Sequence, residues 1–390
     1  MMETAESRPW SDLQPELLGL VLSRLPSLAD RVRLRAVCHP WRSNSLFQSI
    51  PLPFPWLALP DGTFLSIPSC KIHRLSVPEG ASCQGSIDNW LFLMHNDGAC
   101  SLMNPFSKTS LELPKLANVW KPAMSDPNYG FNPFSYKLVV PSPLDSSPCP
   151  LVAAMIMDDG RYGTLCISQP PSVIDTFRDE RHPVRHLGDV AFFDGNLYVL
   201  NGFGQLFIFE LDKDIGISAM KCIIDSLGDL GGTPESLSSE VVYNVRMNLV
   251  ECAGRLLMVS RWFRTMASLT GENFFERKKR TVLLEVFEAD LRTNPARWRR
   301  ATELGGHALF LGQHGSKSLP ASECTGYNKD CIYFMCDYSW PKWPANPLSD
   351  SGVYNIRDGT ITPLMAGSAA IPPRQVGRWR TTWFFPPELV

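Results

Sequence analysis

The residues that could hold a metal ion lie in short, incomplete motifs. His182 and His186 are four positions apart, a spacing that lets two imidazoles share a metal on a helix, but a proline between them disfavours a helix. Cys324, Cys331 and Cys336 crowd together without forming a Cys-x-x-Cys pair. We therefore interpret these residues as exposed loop histidines and reduced cysteines, and predict no metal and no cofactor.

Motifs for nucleotide binding and covalent catalysis are equally incomplete. Gly202-Phe203-Gly204 is half of a dinucleotide fingerprint, but Phe207 occupies the position of the third glycine, so the segment is predicted to be a turn. The glycine-rich segment 227–232 has no lysine at the P-loop position, and no Gly-x-Ser-x-Gly elbow occurs. The sequence therefore offers no catalytic residue, and it predicts a protein that is not an enzyme.

Two cationic segments remain. Residues 276–280 (ERKKR) form a charge run that we interpret as a solvated loop; a nuclear-import signal or a contact for an acidic partner are the alternatives. Trp298 lies among Arg297, Arg299 and Arg300, and we expect its ring to be in the core with the arginines covering it.

The overall composition excludes several classes of protein. The 390 residues carry a net charge of −2, whereas a general nucleic-acid or anionic-membrane binder is usually strongly basic. No apolar run reaches the ~20 residues of a membrane helix, and the first residues are polar and acidic rather than signal-like. These features predict an intracellular protein of the cytoplasm, the nucleus or both, with no nucleic-acid or membrane partner.

The first fifty residues carry the clearest helical pattern. Apolar residues form one stripe, with Pro15 at the start and Pro26 at the end: Leu17, Leu18, Val21, Leu22, Leu25. Residues 27–30 (SLAD) resemble a capping box for a second helix, and a third short helix could carry Trp41. Three helices in some forty residues give too small a core to be safely stable alone, so the unit either docks on a partner or caps the following domain.

The rest of the chain alternates short apolar runs with turn signals. Asp194-Gly195 is a strong hairpin signal, and similar hairpins precede Leu91, Leu256 and Ile332. If one degenerate copy is hidden before Leu197, the repeat is roughly 50–60 residues, near the size of a propeller blade with insertions. The pattern predicts an all-β propeller of about six to seven blades closed by a strand in 381–385; a pair of irregular β-sandwiches is the alternative.

The helical segment resembles an F-box. The similarity lies in WSDLQPELL (10–18), VLSRLP (21–26) and LRAVCHPWR (34–42), with departures at Gln14 and His39. This resemblance implies docking onto a Skp-type adaptor, and through it onto a cullin. The contact would come from eight residues: Leu13, Pro15, Leu17, Leu18, Leu22, Leu25, Val37, Trp41.

The β-rich part resembles the KIB-type propeller of plant F-box proteins. The similarity lies in Asn104-Pro105, VFEADL (286–291), ELGGHALFLG (303–312), CIYF (331–334) and WFFP (383–386), with a departure at Gly306. We therefore expect an F-box in residues 8–50, a proline-rich connector in 51–60 and the propeller in 61–390. An irregular first edge strand is the alternative to the connector.

Together the two resemblances imply the substrate-recognition subunit of an SCF-type (Skp–cullin–F-box) E3 ubiquitin ligase. Its F-box would dock the adaptor and its propeller would bind a target protein. A non-degradative F-box scaffold and a propeller enzyme with a helical cap are the alternatives. The sequence predicts no substrate-binding residues.

Overall fold

The fold is described by a computed structural model. It describes residues 10–25, 27–45, 52–67, 69–120, 133–158, 163–178, 186–211, 216–230, 234–238, 241, 243–266, 278–322, 326–337, 348–365 and 380–387.

Three short helices open the described chain, after a single 3-10 turn at Trp10–Asp12. They are α1 (Pro15–Ser23), α2 (Leu28–Arg35) and α3 (His39–Ser45). The first helix begins at Pro15, as predicted, since proline has no N–H to leave unsatisfied there. The predicted capping box is wrong: Ser27 is the N-cap of α2, but its side chain makes no capping hydrogen bond.

The strands of the described residues form six sheets, each one blade of a propeller. This confirms the predicted propeller of about six to seven blades, with six observed. Blades one to three contain the following strands: β1 (Trp56–Ala58), β2 (Thr63–Ser66), β3 (Lys71–Arg74), β4 (Ser82–Ile87), β5 (Trp90–Met94), β6 (Cys100–Met103), β7 (Ser110–Leu113), β8 (Pro133–Val139), β9 (Val152–Asp158), β10 (Gly163–Gln169), β11 (Ser172–Arg178). A fourth helix, α4 (Leu116–Trp120), follows blade two.

Blades four to six complete the ring. Their strands, with the closing strand last, are: β12 (Leu187–Phe193), β13 (Asn196–Asn201), β14 (Leu206–Leu211), β15 (Ile217–Ile224), β16 (Tyr243–Cys252), β17 (Arg255–Met266), β18 (Lys278–Asp290), β19 (Arg297–Arg300), β20 (His307–Leu311), β21 (Lys317–Pro320), β22 (Cys331–Phe334), β23 (Gly352–Asn355), β24 (Ile361–Thr362), β25 (Thr382–Phe384).

The closing strand β25 belongs to blade one, whose order is β25-β1-β2-β3. It pairs antiparallel with β1, with Leu57 opposite Trp383. The backbone N–H of Arg380 also donates to Cys83 O at 2.7 Å, and that of Phe385 donates to Asp88 O at 3.0 Å. The last strand thus joins blade one and lies along the first strand of blade two, which confirms the predicted closing strand.

The segment expected as a connector, residues 51–60, overlaps β1. Trp56–Ala58 lies inside the first blade between β25 and β2, and so is not an edge strand. The other domain limits remain predictions.

The core is divided among six apolar clusters, one between each pair of neighbouring blades. Alternation along each strand sends successive side chains to opposite clusters. In β1, for example, Leu57 packs towards blade six, whereas Trp56 and Ala58 pack towards blade two. The short apolar runs of the sequence are therefore strands buried on both faces.

Three of the hairpins that look alike in the sequence occupy equivalent places in blades two, four and five. Asp88, Asp194 and Ala253 have positive φ, between 46° and 52°, in turns between the first and second strands of these blades. The predicted hairpin before Ile332 is wrong, because β22 pairs with β20 and β23 rather than with the preceding β21, although Asp330 has a similar φ of 57°. Blade three lies between the first two copies, which confirms the hidden repeat.

Blade six differs from the others because it has five strands, in the order β21-β20-β22-β23-β24. Its β20 runs parallel to β22, and the chain returns antiparallel along β21 to form the inner edge. The turn between β20 and β21, residues 312–316, points into the centre of the ring, and we call it the plug turn.

Candidate functional site: the helical unit and the propeller centre

The helical unit, residues 10–45, has a very small core. Leu18 and Leu22 are both 0% exposed, and they are packed by the partly buried Leu13, Leu34 and Trp41. The indole Nε1 of Trp41 donates to the backbone oxygen of Trp10 at 2.9 Å, which ties the third helix to the first turn. Two fully buried leucines contribute only about 3–6 kcal/mol between them.

The same unit leaves a group of apolar side chains uncovered. Leu17, Leu20 and Val21 are spaced i, i+3, i+4 on α1 and so lie on one face of it. They are 46%, 55% and 44% exposed, and Val37, just after α2, is 63% exposed. We call these four residues the apolar face.

The eight residues that the resemblance assigns to adaptor binding therefore fall into three environments. Leu18 and Leu22 are in the core; Leu13, Leu25 and Trp41 are half-buried; Pro15, Leu17 and Val37 are exposed. Leu20 and Val21 are absent from the predicted set, although their positions three and four residues after Leu17 are the signal that could have found them. The adaptor-binding assignment itself stays a prediction.

The helical unit is anchored to the propeller at one residue of α2. Leu28 is buried in the cluster between blades one and two, against Trp56, Phe64 and Phe384 among others. Beside this contact, the His73 ring stacks on Trp56 with ring centroids 4.6 Å apart. Burial, together with the positive charges of Arg33 and Lys71, lowers the pKa of His73.

The centre of the propeller holds buried charges rather than an apolar core. Lys137 Nζ lies 2.5 Å from Asp189 Oδ1, and both side chains are almost completely buried. The same carboxylate accepts the backbone N–H of Leu249 at 2.7 Å and that of Val190 at 2.9 Å. One aspartate thus links the inner strands of blades three, four and five.

The plug turn completes this polar centre. Gln313 Nε2 donates to Ser135 Oγ at 2.7 Å, and the His314 Nδ1–H donates to the Tyr136 carbonyl at 2.8 Å. A side chain at Gly315 would meet the Ser86 carbonyl at 2.8 Å, so only glycine fits there. Burial lowers the pKa of His314 to about 4, so the imidazole is neutral at neutral pH. These contacts make the plug turn a structural part of the ring.

The other sequence candidates are structural or surface features. Gly204 has a positive φ of 80° in the turn between β13 and β14, as predicted for residues 202–204, and Phe203 at its tip is exposed. Trp298 is buried and its Nε1 donates to Gly204 O at 2.8 Å, while the flanking arginines are exposed. This confirms the prediction that Trp298 belongs to the core.

The candidate metal ligands are not brought together in the described part of the chain. Cys331 and Cys336 are buried, and burial raises the pKa of both thiols. His182 and Cys324 lie outside the described residues, as do residues 276–277 of the charge run. No group of three or more His, Cys, Asp or Glu side chains within the described ranges could hold a metal ion. None of the described helices has the length and apolar character needed to span a membrane.

Comparison with known protein families identifies the family of this chain. The model of the KIB1-4 beta-propeller matches residues 64–355, most of the chain. The chain belongs to the KIB1-4 β-propeller family. Its organisation is that of a plant F-box protein, with an N-terminal F-box followed by a KIB-type propeller.

Two relatives that match along most of the chain are F-box proteins. The F-box protein At2g26160 of Arabidopsis thaliana is 24% identical over 349 residues, covering 85% of this chain and 96% of the relative. The F-box protein SKIP23 of the same plant is 23% identical over 398 residues, covering 90% of each chain.

Among solved structures, the β-propeller domain of Cps50 (Swd1) from Myceliophteria thermophila is similar, with a TM-score of 0.28 and 8% identity. The match covers 75% of this chain and 87% of that one, and so low a score supports no argument about function.

Proposed function

We propose that this KIB-type F-box protein is the substrate-recognition subunit of an SCF-type E3 ubiquitin ligase and performs no chemistry itself. The observation that carries the proposal is the apolar face, which leaves Leu17, Leu20, Val21 and Val37 in water on a unit with only two fully buried leucines. A surface of this kind gains stability when a partner covers it. The partner we propose is a Skp-type adaptor, which would in turn bind a cullin.

The exposed and buried residues of the F-box have different roles in this proposal. Leu17, Leu20, Val21 and Val37 would touch the adaptor, and covering each would contribute roughly 1 kcal/mol, since half of each side chain is already buried. Leu18 and Leu22 would act indirectly, by holding the helices in place. Leu13, Pro15, Leu25 and Trp41 would line the edge of the contact.

The propeller would hold the target protein at a fixed position relative to the adaptor. Leu28 supports this role because it packs the F-box against blades one and two, so the two parts are joined by a buried contact as well as by the chain. Catalysis in such an assembly lies in the partner enzymes, and the receptor contributes proximity and orientation.

Reconstitution tests the proposal. The full chain would be co-expressed with a Skp-type adaptor and a cullin and passed over a sizing column. We expect the three to elute as one complex. Elution of the chain apart from the adaptor, with both proteins folded, would rule out this function.

A matched pair of variants locates the contact. Leu17→Ser with Val21→Ser should remove the adaptor from the complex, because both changes replace contact surface by hydroxyls. Ile72→Ser with Val173→Ser removes two similarly exposed apolar side chains from blades one and three, and should leave the complex intact. Equal loss in both pairs would show that the adaptor does not recognise the apolar face.

Cell experiments separate degradation from scaffolding. Target proteins that co-purify with the chain should have longer half-lives when the chain carries Leu17→Ser and Val21→Ser, because ubiquitin transfer needs the adaptor. Unchanged half-lives of all co-purifying proteins would favour a non-degradative scaffold.

A further inference from the structure

The strands of blade five are longer than those of blade four. Its strands β16, β17 and β18 have 10, 12 and 13 residues, whereas the four strands of blade four have 6 to 8. The end of blade five near Tyr243, Arg264 and Arg280 therefore extends beyond the part of its sheet that blade four covers. We call this part the blade-five extension.

The side of the extension that faces blade six is sealed by hydrogen bonds. The buried guanidinium of Arg261 donates to Thr281 Oγ1 at 2.8 Å, to Asp350 Oδ2 at 3.0 Å and to the Met335 carbonyl at 2.9 Å. Asp337 lies 3.4 Å from the same guanidinium. These contacts join blade five to blade six and satisfy the buried guanidinium on that side.

The opposite side, which faces blade four, is open. Side chains from neighbouring strands line a shallow cleft of about 270 Å³, with Val245, Trp262 and Phe287 from blade five and Leu227 and Leu230 from the segment after blade four. Glu285 is also there, but it accepts from Trp262 Nε1 at 2.9 Å and pairs with Arg300 at 2.7 Å, so its charge is balanced. The cleft is apolar with a neutralised carboxylate at its edge.

Two arginines stand next to this cleft on the same side of the sheet. Arg264 is two residues beyond Trp262 on β17, and its register partner on β18 is Arg280. Thr281 faces Arg261 on the sealed side, so the adjacent Arg280 faces the open side. Both arginines are exposed, and among the described residues no carboxylate forms an ion pair with either.

Like charges directly opposite each other on neighbouring strands destabilise a sheet. The pair therefore costs the isolated protein stability, and an anion placed between the two guanidiniums would remove that cost. Tyr243, the register partner of Arg264 on β16, extends the same row. The row of Tyr243, Arg264 and Arg280 thus offers cations and an aromatic ring directly beside an apolar cleft.

We propose that the open side of the blade-five extension binds an acidic segment of a target protein, with an anionic group between Arg264 and Arg280 and an apolar side chain in the cleft beside Trp262. The anion is a carboxylate or a phosphate ester, since guanidinium groups bind both in the same geometry. This inference rests on the proposed function, because it names the class of target that the receptor takes. A nucleic acid fits less well, because the chain as a whole carries a net charge of −2 and the cleft needs an apolar side chain.

Direct titration tests this site without any adaptor. The full chain would be titrated against fluorescein-labelled peptides in which a pair of leucines is flanked by glutamates, by phosphoserines or by lysines. We expect the two anionic peptides to bind and the lysine peptide not to bind, with an affinity that falls as salt rises. A single-stranded oligonucleotide that bound more tightly than both anionic peptides would overturn the choice of ligand, and binding of none of the anionic probes would overturn the site.

A charge reversal separates recognition from folding. Arg280→Glu places a carboxylate opposite Arg264, so the thermal midpoint should stay equal or rise, while affinity for the anionic peptides should fall at least tenfold. Arg292→Glu, at another exposed arginine of the same blade, is the matched control and should keep the affinity. If Arg280→Glu kept the affinity, or if the control lost as much, the proposed site would be wrong.

The double reversal gives a result that a merely structural role would not produce. Arg264→Glu with Arg280→Glu restores a like-charged pair of opposite sign, so the chain should now prefer the lysine peptide. Because these titrations contain no adaptor, their failure would leave adaptor binding unaffected. Conversely, an F-box that failed to bind adaptor would leave the peptide result intact.

Discussion

The F-box and the propeller differ in how completely they bury their apolar side chains. Each blade of the propeller buries apolar residues on both faces, and the ring is closed by β25, so that every blade has a neighbour on each side. Among the described apolar side chains of the F-box, Leu18 and Leu22 alone are completely buried, and its apolar face lies in water. The propeller therefore closes on itself, whereas the F-box leaves apolar surface that the proposed adaptor would cover.

Removal of the closing strand should have the largest effect on the propeller. A chain ending at residue 380 loses β25, including Trp383, which is fully buried and donates its Nε1 to Leu311 O at 3.0 Å. It would also leave the edge of β1 that pairs with β25 open, and open strand edges favour aggregation. We expect the truncated chain to be insoluble on expression; a soluble chain with an unchanged melting temperature would show that ring closure is unimportant.

Loss of a buried charge at the centre of the propeller should have the next largest effect on stability. Asp189→Asn leaves Lys137 buried without a counter-charge, which typically costs about 3–5 kcal/mol in the free energy of unfolding. Asp30→Asn breaks an exposed ion pair with Arg33, 2.6 Å in length, and should cost less than about 1 kcal/mol. Urea denaturation of the two variants compares them directly, and equal losses would contradict the assigned role of Asp189.

A core substitution in the F-box should act locally. Leu18→Ala removes a fully buried side chain, and we expect a loss of about 2–5 kcal/mol confined to residues 10–45. Leu17→Ala removes a half-exposed side chain and should change stability by no more than about 0.5 kcal/mol. Hydrogen exchange of the helical amides is the measurement; equal protection in the two variants would mean that Leu18 is not the core residue we describe.

The plug turn should make the propeller sensitive to mild acid. An unfolded chain protonates His314 near pH 6.5, but the folded chain does so only near its lowered pKa of about 4, so protons favour the unfolded state between these values. His314 then costs on the order of 2–3 kcal/mol of stability as pH falls from about 6.5 to 4. His314→Gln should lose less stability over that range in denaturant titrations, and parallel pH profiles for both chains would contradict this role.

Much of the fold could be predicted from the sequence. Leucine spacing and Pro15 predicted the first helix, and hairpins such as Asp194-Gly195 predicted both the strands and the repeat. The closing strand followed from the need of a propeller to have no open edge. These features are local, or depend on a pattern that recurs along the chain, so short segments are enough to recognise them.

Other features depend on contacts between distant residues, which no local pattern encodes. Leu17 and Leu18 are adjacent leucines of the same stripe, yet only the packing of Leu34 and Trp41 decides which of them is buried. The Lys137–Asp189 pair joins residues of different blades, and the parallel pairing of β20 with β22 depends on contacts across blade six. Arg264 and Arg280 are far apart in the sequence, so their pairing is visible only from the register of β17 and β18.

The central claim is that the F-box recognises its adaptor through the apolar face rather than through the leucine stripe as a whole. Calorimetric titration of a Skp-type adaptor into the full chain, compared with the chain carrying Leu17→Ser and Val21→Ser, tests this claim most directly. We expect the variant to bind at least tenfold more weakly while its melting temperature is unchanged. Equal affinity of the two chains, or no binding to either, would contradict the claim.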